Sequence, residues 1–172
     1  TQAGTQHPWL DAGISTSQTY YGSVTGTVSN PSFVAATTKV NSATVVATGT
    51  GYAVGDLLTL FGSGTYSVAG QLSVTSIQVV GTPTVSAGGS NYQLNDTLTI
   101  TGPSYTSPVV LRVNGVSGTV ITSVALVSGG QYTGVTPSNP VAPTSTSGSG
   151  INANFTLTWG VSTVSVATPG NY

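Results

Sequence analysis

The stretch TSVALVSGGQY at residues 122–132 has three counterparts: SATVVATGTGY at 42–52, TPTVSAGGSNY at 82–92 and STVSVATPGNY at 162–172. Each copy ends in tyrosine, so Tyr52, Tyr92, Tyr132 and Tyr172 stand 40 residues apart with no insertion between them. A strict period gives every copy the same structural slot, because one short unit cannot bury its apolar face alone and must close against its neighbours. Within each copy, Val, Ala and Leu are interleaved with Ser and Thr, and apolar periodicity of 3.6 residues is absent. That patterning belongs to strands, not helices.

Working outward, strands are predicted at 43–47, 57–61, 71–80, 97–101, 109–113, 119–127, 154–159 and 163–167. Leu58 and Leu60 recur as Leu98 and Ile100, which places two apolar side chains on one face of a short strand with threonine on the other. The glycine clusters just before each tyrosine are read as points of positive φ where the chain turns. Residues 137–150, rich in Pro, Ser, Thr and Gly, are read as an extended loop or a long connection within the third unit. The expected fold is all-β: tandem 40-residue repeats of short antiparallel strands, as a sandwich or a trimeric prism-like bundle, with almost no helix. Residues 42–172 form the repeat domain, and residues 1–41 are read as an N-terminal attachment segment.

Charge is the compositional anomaly. Asp11, Lys39, Asp56, Asp96 and Arg112 are the only formally charged residues, 3% of 172, against roughly 25% in ordinary soluble domains. Solubility then falls to Ser, Thr, Asn, Gln and Gly, a surface suited to an assembled extracellular object. Two basic side chains cannot neutralise a useful number of phosphates, so neither nucleic acid nor an anionic membrane is an expected partner. No run of 18 apolar residues is present to span a bilayer as a helix. The opening TQAGTQHPWL lacks a basic region followed by an apolar one and is not read as a signal peptide; a start at Thr1 fits a removed signal or a trimmed initiator methionine. Cysteine is absent, which excludes disulfides and thiolate metal sites.

Few residues carry chemistry. Asp56 and Asp96 occupy equivalent positions, four after Tyr52 and Tyr92, and can be read as carboxylates for glycoside hydrolysis, as turn-borne calcium ligands, or as side chains capping the turn into the Leu-x-Leu strand. A repeat holds equivalent residues one repeat apart, which disfavours a converging acid/base pair, so capping is the expected role, with Thr136 as its counterpart in the third unit. His7 and Asp11 are not accompanied by a Gly-x-Ser-x-Gly elbow, and no enzyme activity and no cofactor are expected. His7, Pro8 and Trp9 are candidate docking anchors. Tyr52, Tyr92, Tyr132 and Trp159 are candidate stacking platforms for sugar rings, set against the commoner role of a packed tyrosine whose hydroxyl is tied to backbone. The sequons at Asn95 and Asn154 matter only on a glycosylating secretory route.

The phrases GTGYAVGDLLTLFG, VSGTVITSVALVSGGQYTGVTPSNPVAP and GSGINANFTLTWG resemble the Gly-Gly-x-x-Tyr repeats of structural proteins of tailed bacteriophages, in tail fibres, baseplate-associated proteins and head decorations. The resemblance spans about three quarters of the chain. It implies a β-rich, usually homotrimeric component of the virion exterior, without enzymatic activity, that contacts other virion proteins such as capsid or tail. A glycan-binding adhesin module that meets host surface glycan, and an extracellular filament subunit, are the alternatives.

Overall fold

The computed structural model describes residues 38–61 and 67–172. The chain divides into two units, Thr1–Thr38 and Lys39–Tyr172, of which the second carries the repeats. Among the described residues its strands are β1 (Leu57–Leu60), β2 (Gly70–Ser90), β3 (Thr97–Ile100), β4 (Tyr105–Ser117), β5 (Val120–Tyr132), β6 (Ser145–Thr146) and β7 (Ile151–Thr168). All belong to one antiparallel sheet, and no helix occurs among the described residues. The all-β expectation holds.

The middle repeat shows the plan in its simplest form. β3 pairs with the first half of β4, from Thr97↔Arg112 to Ile100↔Val109. β4 then reverses through Gly118 and Thr119 and pairs with β5, from Ser117↔Val120 out to Tyr105↔Tyr132. Gly118 has φ of +62°, the conformation that the first central residue of a two-residue type II′ hairpin loop requires. The outcome is a three-stranded unit, β3-β4-β5.

The first and third repeats build the same unit twice, by exchange. β2 runs 21 residues without reversing, and β7 runs 18. The start of β2 pairs with the end of β7 (Gln71↔Thr168, Leu72↔Val166, Ser73↔Ser165, Val74↔Val164), while the end of β2 pairs with the start of β7 (Thr84↔Thr156, Val85↔Phe155, Gly88↔Ala153, Ser90↔Ile151). The hairpin has the same register, since Val110, Leu111, Arg112 and Val113 face Ser128, Leu126, Ala125 and Val124. Each β7 partner lies 40 residues beyond its β5 counterpart, and both pairings skip one residue at the same place, between Gln71 and Leu72 or Val110 and Leu111. β1 adds to the start of β2 as β3 adds to β4, from Leu57↔Ser73 to Leu60↔Gly70. At the other end Val141 bridges Phe155. The long strands β2 and β7 were expected as shorter pieces, 71–80, 154–159 and 163–167. β2 runs on through Gly81, whose φ is +70°, and Pro83, with its pairing to β7 irregular between Val80 and Thr84.

Three local expectations change. The 43–47 stretch is not a strand, although the chain beside it is bound: Val161 N–H donates to Thr48 C=O at 2.8 Å, and Val40 N–H donates to Pro169 C=O at 2.9 Å. The glycine clusters do have positive φ, at Gly49, Gly89, Gly130 and Gly170, yet β2 and β5 pass through theirs as strand. Finally, the 137–150 tract is a tether along the open edge of β3, where Thr144 N–H and Ser147 N–H donate to Thr99 and Thr97 carbonyls and β6 pairs Leu98 with Thr146.

Alternate residues of β3, β4 and β7 (Leu98, Ile100, Val109, Leu111, Val113, Phe155, Leu157) turn into one shared core together with Val74, Ile77 and Val79 of β2. The same positions are less covered in the first unit, where Leu58 and Leu60 are only half-buried. Two glycines allow backbones to cross within this core. A Cβ on Gly88 would lie 2.4 Å from the Ile121 carbonyl oxygen, and one on Gly129 would lie 2.5 Å from that of Val79.

Candidate functional site

The repeated tyrosines are the first candidates, and three of them are clamps. The Tyr132 hydroxyl donates to Ile100 C=O at 2.6 Å, at the end of β3, and Val109 N–H in β4 approaches it at 3.5 Å. Tyr172 does the same for the first unit: its hydroxyl donates to Leu60 C=O at 3.2 Å and accepts from Gly70 N–H at 2.8 Å. In the third, the Ala153 backbone hydrogen-bonds the Tyr92 hydroxyl. Tyr132 and Tyr172 thus fill the mouth between a short strand and the long strand beside it, and Tyr92 is tied to the start of β7. Tyr132 closes its own repeat, whereas Tyr92 and Tyr172 close each other's, following the exchange of β2 and β7. Burial is the main reason that the hydroxyls of Tyr92 and Tyr132 are held above the usual tyrosine range.

These positions take two of the four aromatic candidates out of contact with any sugar. Tyr92 is 2% exposed and Tyr132 0%, and their rings face the core. Tyr52 differs: it is 39% exposed.

Tyr52 and Trp159 share a groove. It has a volume of about 710 Å³ and is walled by residues 50–54, by Ile77 of β2, by residues 134–136 and by residues 157–159 of β7. Its apolar surface comes from the two aromatic rings, Val54, Ile77, Val135 and Leu157, and its hydroxyls from Thr50, Thr136 and Thr158. None of the described residues that line it is charged. Trp159 is fixed by an edge contact with Tyr132, with ring centroids 4.9 Å apart and planes at 71°. Nothing in the sequence showed that residues 134–136 would reach this place, because three different repeats supply the walls. The Asn and Gln residues of the turns are not among them; Gln131, for one, is turned to Ser76 and Thr106.

Asp56 and Asp96 are turn caps. Asp56 Oδ2 accepts from Ala53 N–H at 2.8 Å, and Asp96 Oδ2 accepts from Gln93 N–H at 2.9 Å. Each turn hands its backbone to the long strand by a reciprocal pair of bonds: Gly55 N–H to Val74 C=O with Val74 N–H to Asp56 C=O, and Asn95 N–H to Val113 C=O with Val113 N–H to Asp96 C=O. In the third repeat it is Asn139, not Thr136, that performs this task. Its side-chain amide donates to Leu157 C=O at 2.7 Å and accepts from Leu157 N–H at 2.9 Å, so one side chain replaces a stretch of backbone. No group of three or more His, Cys, Asp or Glu side chains comes together among the described residues. Of the sequon residues, Asn95 sits in its turn with φ of +73°, and Asn154 sits within β7 opposite Ala87. His7, Pro8 and Trp9 lie outside the described residues.

Comparison with known protein families, with curated proteins and with solved structures finds no match to this chain.

Proposed function

We propose that this chain is a non-enzymatic structural subunit of a tailed-bacteriophage virion, a capsid decoration or short fibre component on the particle exterior that acts as a homotrimer. The observation that supports the reading is where the polar chemistry of the repeats goes. Three of the four repeated tyrosines, both repeated aspartates and Asn139 hold backbone to backbone, so most of the chain's distinctive side chains serve cohesion. A sheet clamped in this way, with 3% charge, is built for persistence in an assembly rather than for turnover. Edges and exposed apolar side chains such as Leu57, Phe61, Val127 and Val135 are surfaces for neighbouring copies or for capsid or tail protein.

Two measurements test this. Light scattering on the purified chain should give three times the monomer mass. Gold-labelled antibody against the chain should decorate intact virions produced from the genome that encodes it, at the head or at the tail. A clean monomer together with unlabelled particles would exclude the proposal.

One observation favours a second reading, a glycan-binding adhesin module. The Tyr52 and Trp159 groove offers aromatic faces and hydroxyls without charge, which suits a neutral sugar of a host surface. Binding on a glycan array that is lost in both Tyr52→Ala and Trp159→Ala would carry it, and an array without signal would remove it.

A further inference from the structure

The sheet contains the same strand pairing closed in two ways. Between β4 and β5 it closes as a hairpin; between β2 and β7 it closes by reciprocal exchange, in the same register and with the same skipped residue. Where the start of β2 meets the end of β7, the exchanged form repeats the hairpin's register, Gln71↔Thr168 to Val74↔Val164 matching Val110↔Ser128 to Val113↔Val124. We propose that the β4–β5 hairpin is the site at which this chain binds a second copy of itself: the hairpin opens at Gly118–Thr119, residues 105–132 extend as one strand, and two such strands pair antiparallel across chains as β2 and β7 pair within one.

The geometry defines the product. In a reciprocal antiparallel exchange, β4 of one copy meets β5 of the other and the reverse, so the contact is two-fold and closes at two chains. The second copy's Tyr132 then fills the mouth between Ile100 and Val109 that the chain's own Tyr132 fills in the closed form. What opening gives up is small: the two-residue loop, and the bond from Tyr92 N–H to the Thr119 carbonyl at 3.0 Å. What opposes it is effective concentration. A two-residue loop holds its strands together at an effective concentration of about millimolar or above, so exchange belongs to crowded copies and to chains refolded together at high concentration. The proposal does not depend on the virion reading.

The chain has no cysteine, which makes disulfide trapping specific. Arg112 and Ala125 are register partners, at a spacing that a disulfide can bridge across antiparallel strands. Arg112→Cys and Ala125→Cys chains, unfolded together, refolded at high concentration and oxidised, should give a covalent dimer in up to about half of the chains, the statistical share of mixed pairs, seen on a non-reducing denaturing gel. Each variant refolded alone should give none. No dimer in the mixture above these controls overturns the proposal, whatever the native mass. As a second measurement, a chain lacking Gly118 and Thr119 cannot close the hairpin and should double in mass by light scattering relative to the full chain, with its β circular dichroism retained. A shortened chain that keeps both the native mass and the native spectrum also overturns it.

Discussion

The hairpin β4–β5 and the crossed pair β2/β7 are two solutions to one pairing problem. Both use the same register, skip a residue at the same place and end in a tyrosine clamp, yet the first joins residues that are close in sequence and the second joins residues such as Thr75 and Thr163, 88 apart. The hairpin can form on its own, because a short loop brings its strands together at little entropic cost. The crossed pair has to close a loop that contains the whole middle repeat, at a larger entropic cost. The lesson is that a repeat can specify a pairing without specifying which copy supplies the partner.

The largest effect that would break this comparison lies at the clamps. Tyr132→Ala empties a fully buried site and should destabilise by about 3–5 kcal/mol in chemical denaturation. Tyr172→Ala, at a half-buried site, should lose about half as much. Equal losses would mean that the crossed pair is as tightly closed as the hairpin. Next come the two crossing points. Gly88→Ala and Gly129→Ala each drive a methyl group against a carbonyl oxygen and should cost about 1–3 kcal/mol, because backbone has to move. Gly118→Ala, by contrast, meets open space and bears only its φ of +62°, a penalty of roughly 1–2 kcal/mol. That penalty should fall on hairpin closure alone and appear in the refolding rate.

Asn139→Ala sharpens the comparison from the third unit. It removes two hydrogen bonds to Leu157 and should cost about 1–3 kcal/mol, whereas Asp96→Ala removes one side-chain bond and leaves the backbone pair intact, at about 1 kcal/mol. The smallest effect is on pH. Tyr92 and Tyr132 have folded-state pKa values above the unfolded value, chiefly through burial, so their contribution is fully present below about pH 10 and is lost as pH rises through the folded values. Denaturant midpoints measured from pH 9 to 11 should fall in the native chain, and the slope should shrink in Tyr132→Phe.

Much of this was legible in the residues. The 40-residue period, the all-β class, β1 and β3, and the capping role of Asp56 and Asp96 all follow from local patterning, and local geometry bears them out. The burial of Tyr92 and Tyr132 agrees with the commoner role of a packed tyrosine. What was not legible is partner choice. Leu72 and Leu111 carry the same pattern, and nothing in either indicates that one faces Val166 across the chain while the other faces Leu126 across a turn. Asn139 escaped notice for a related reason: it does with a side chain what its counterparts do with backbone, so it stands at no repeat-equivalent position. The groove of Tyr52 and Trp159 is assembled from three repeats, so a reading that takes each repeat by itself does not reveal it.

The length of β2 also bears on how the chain is made. At synthesis rates of about 5–20 residues per second, the 88 residues that separate Thr75 from Thr163 correspond to a delay of roughly 4–18 seconds before β2 meets β7. Throughout that time a 21-residue strand, carrying Leu72, Val74, Ile77 and Val79, stands outside the ribosome with one edge unguarded. The nascent chain is then at its most vulnerable to aggregation, and it is during this interval, rather than after release, that a chaperone would have work to do.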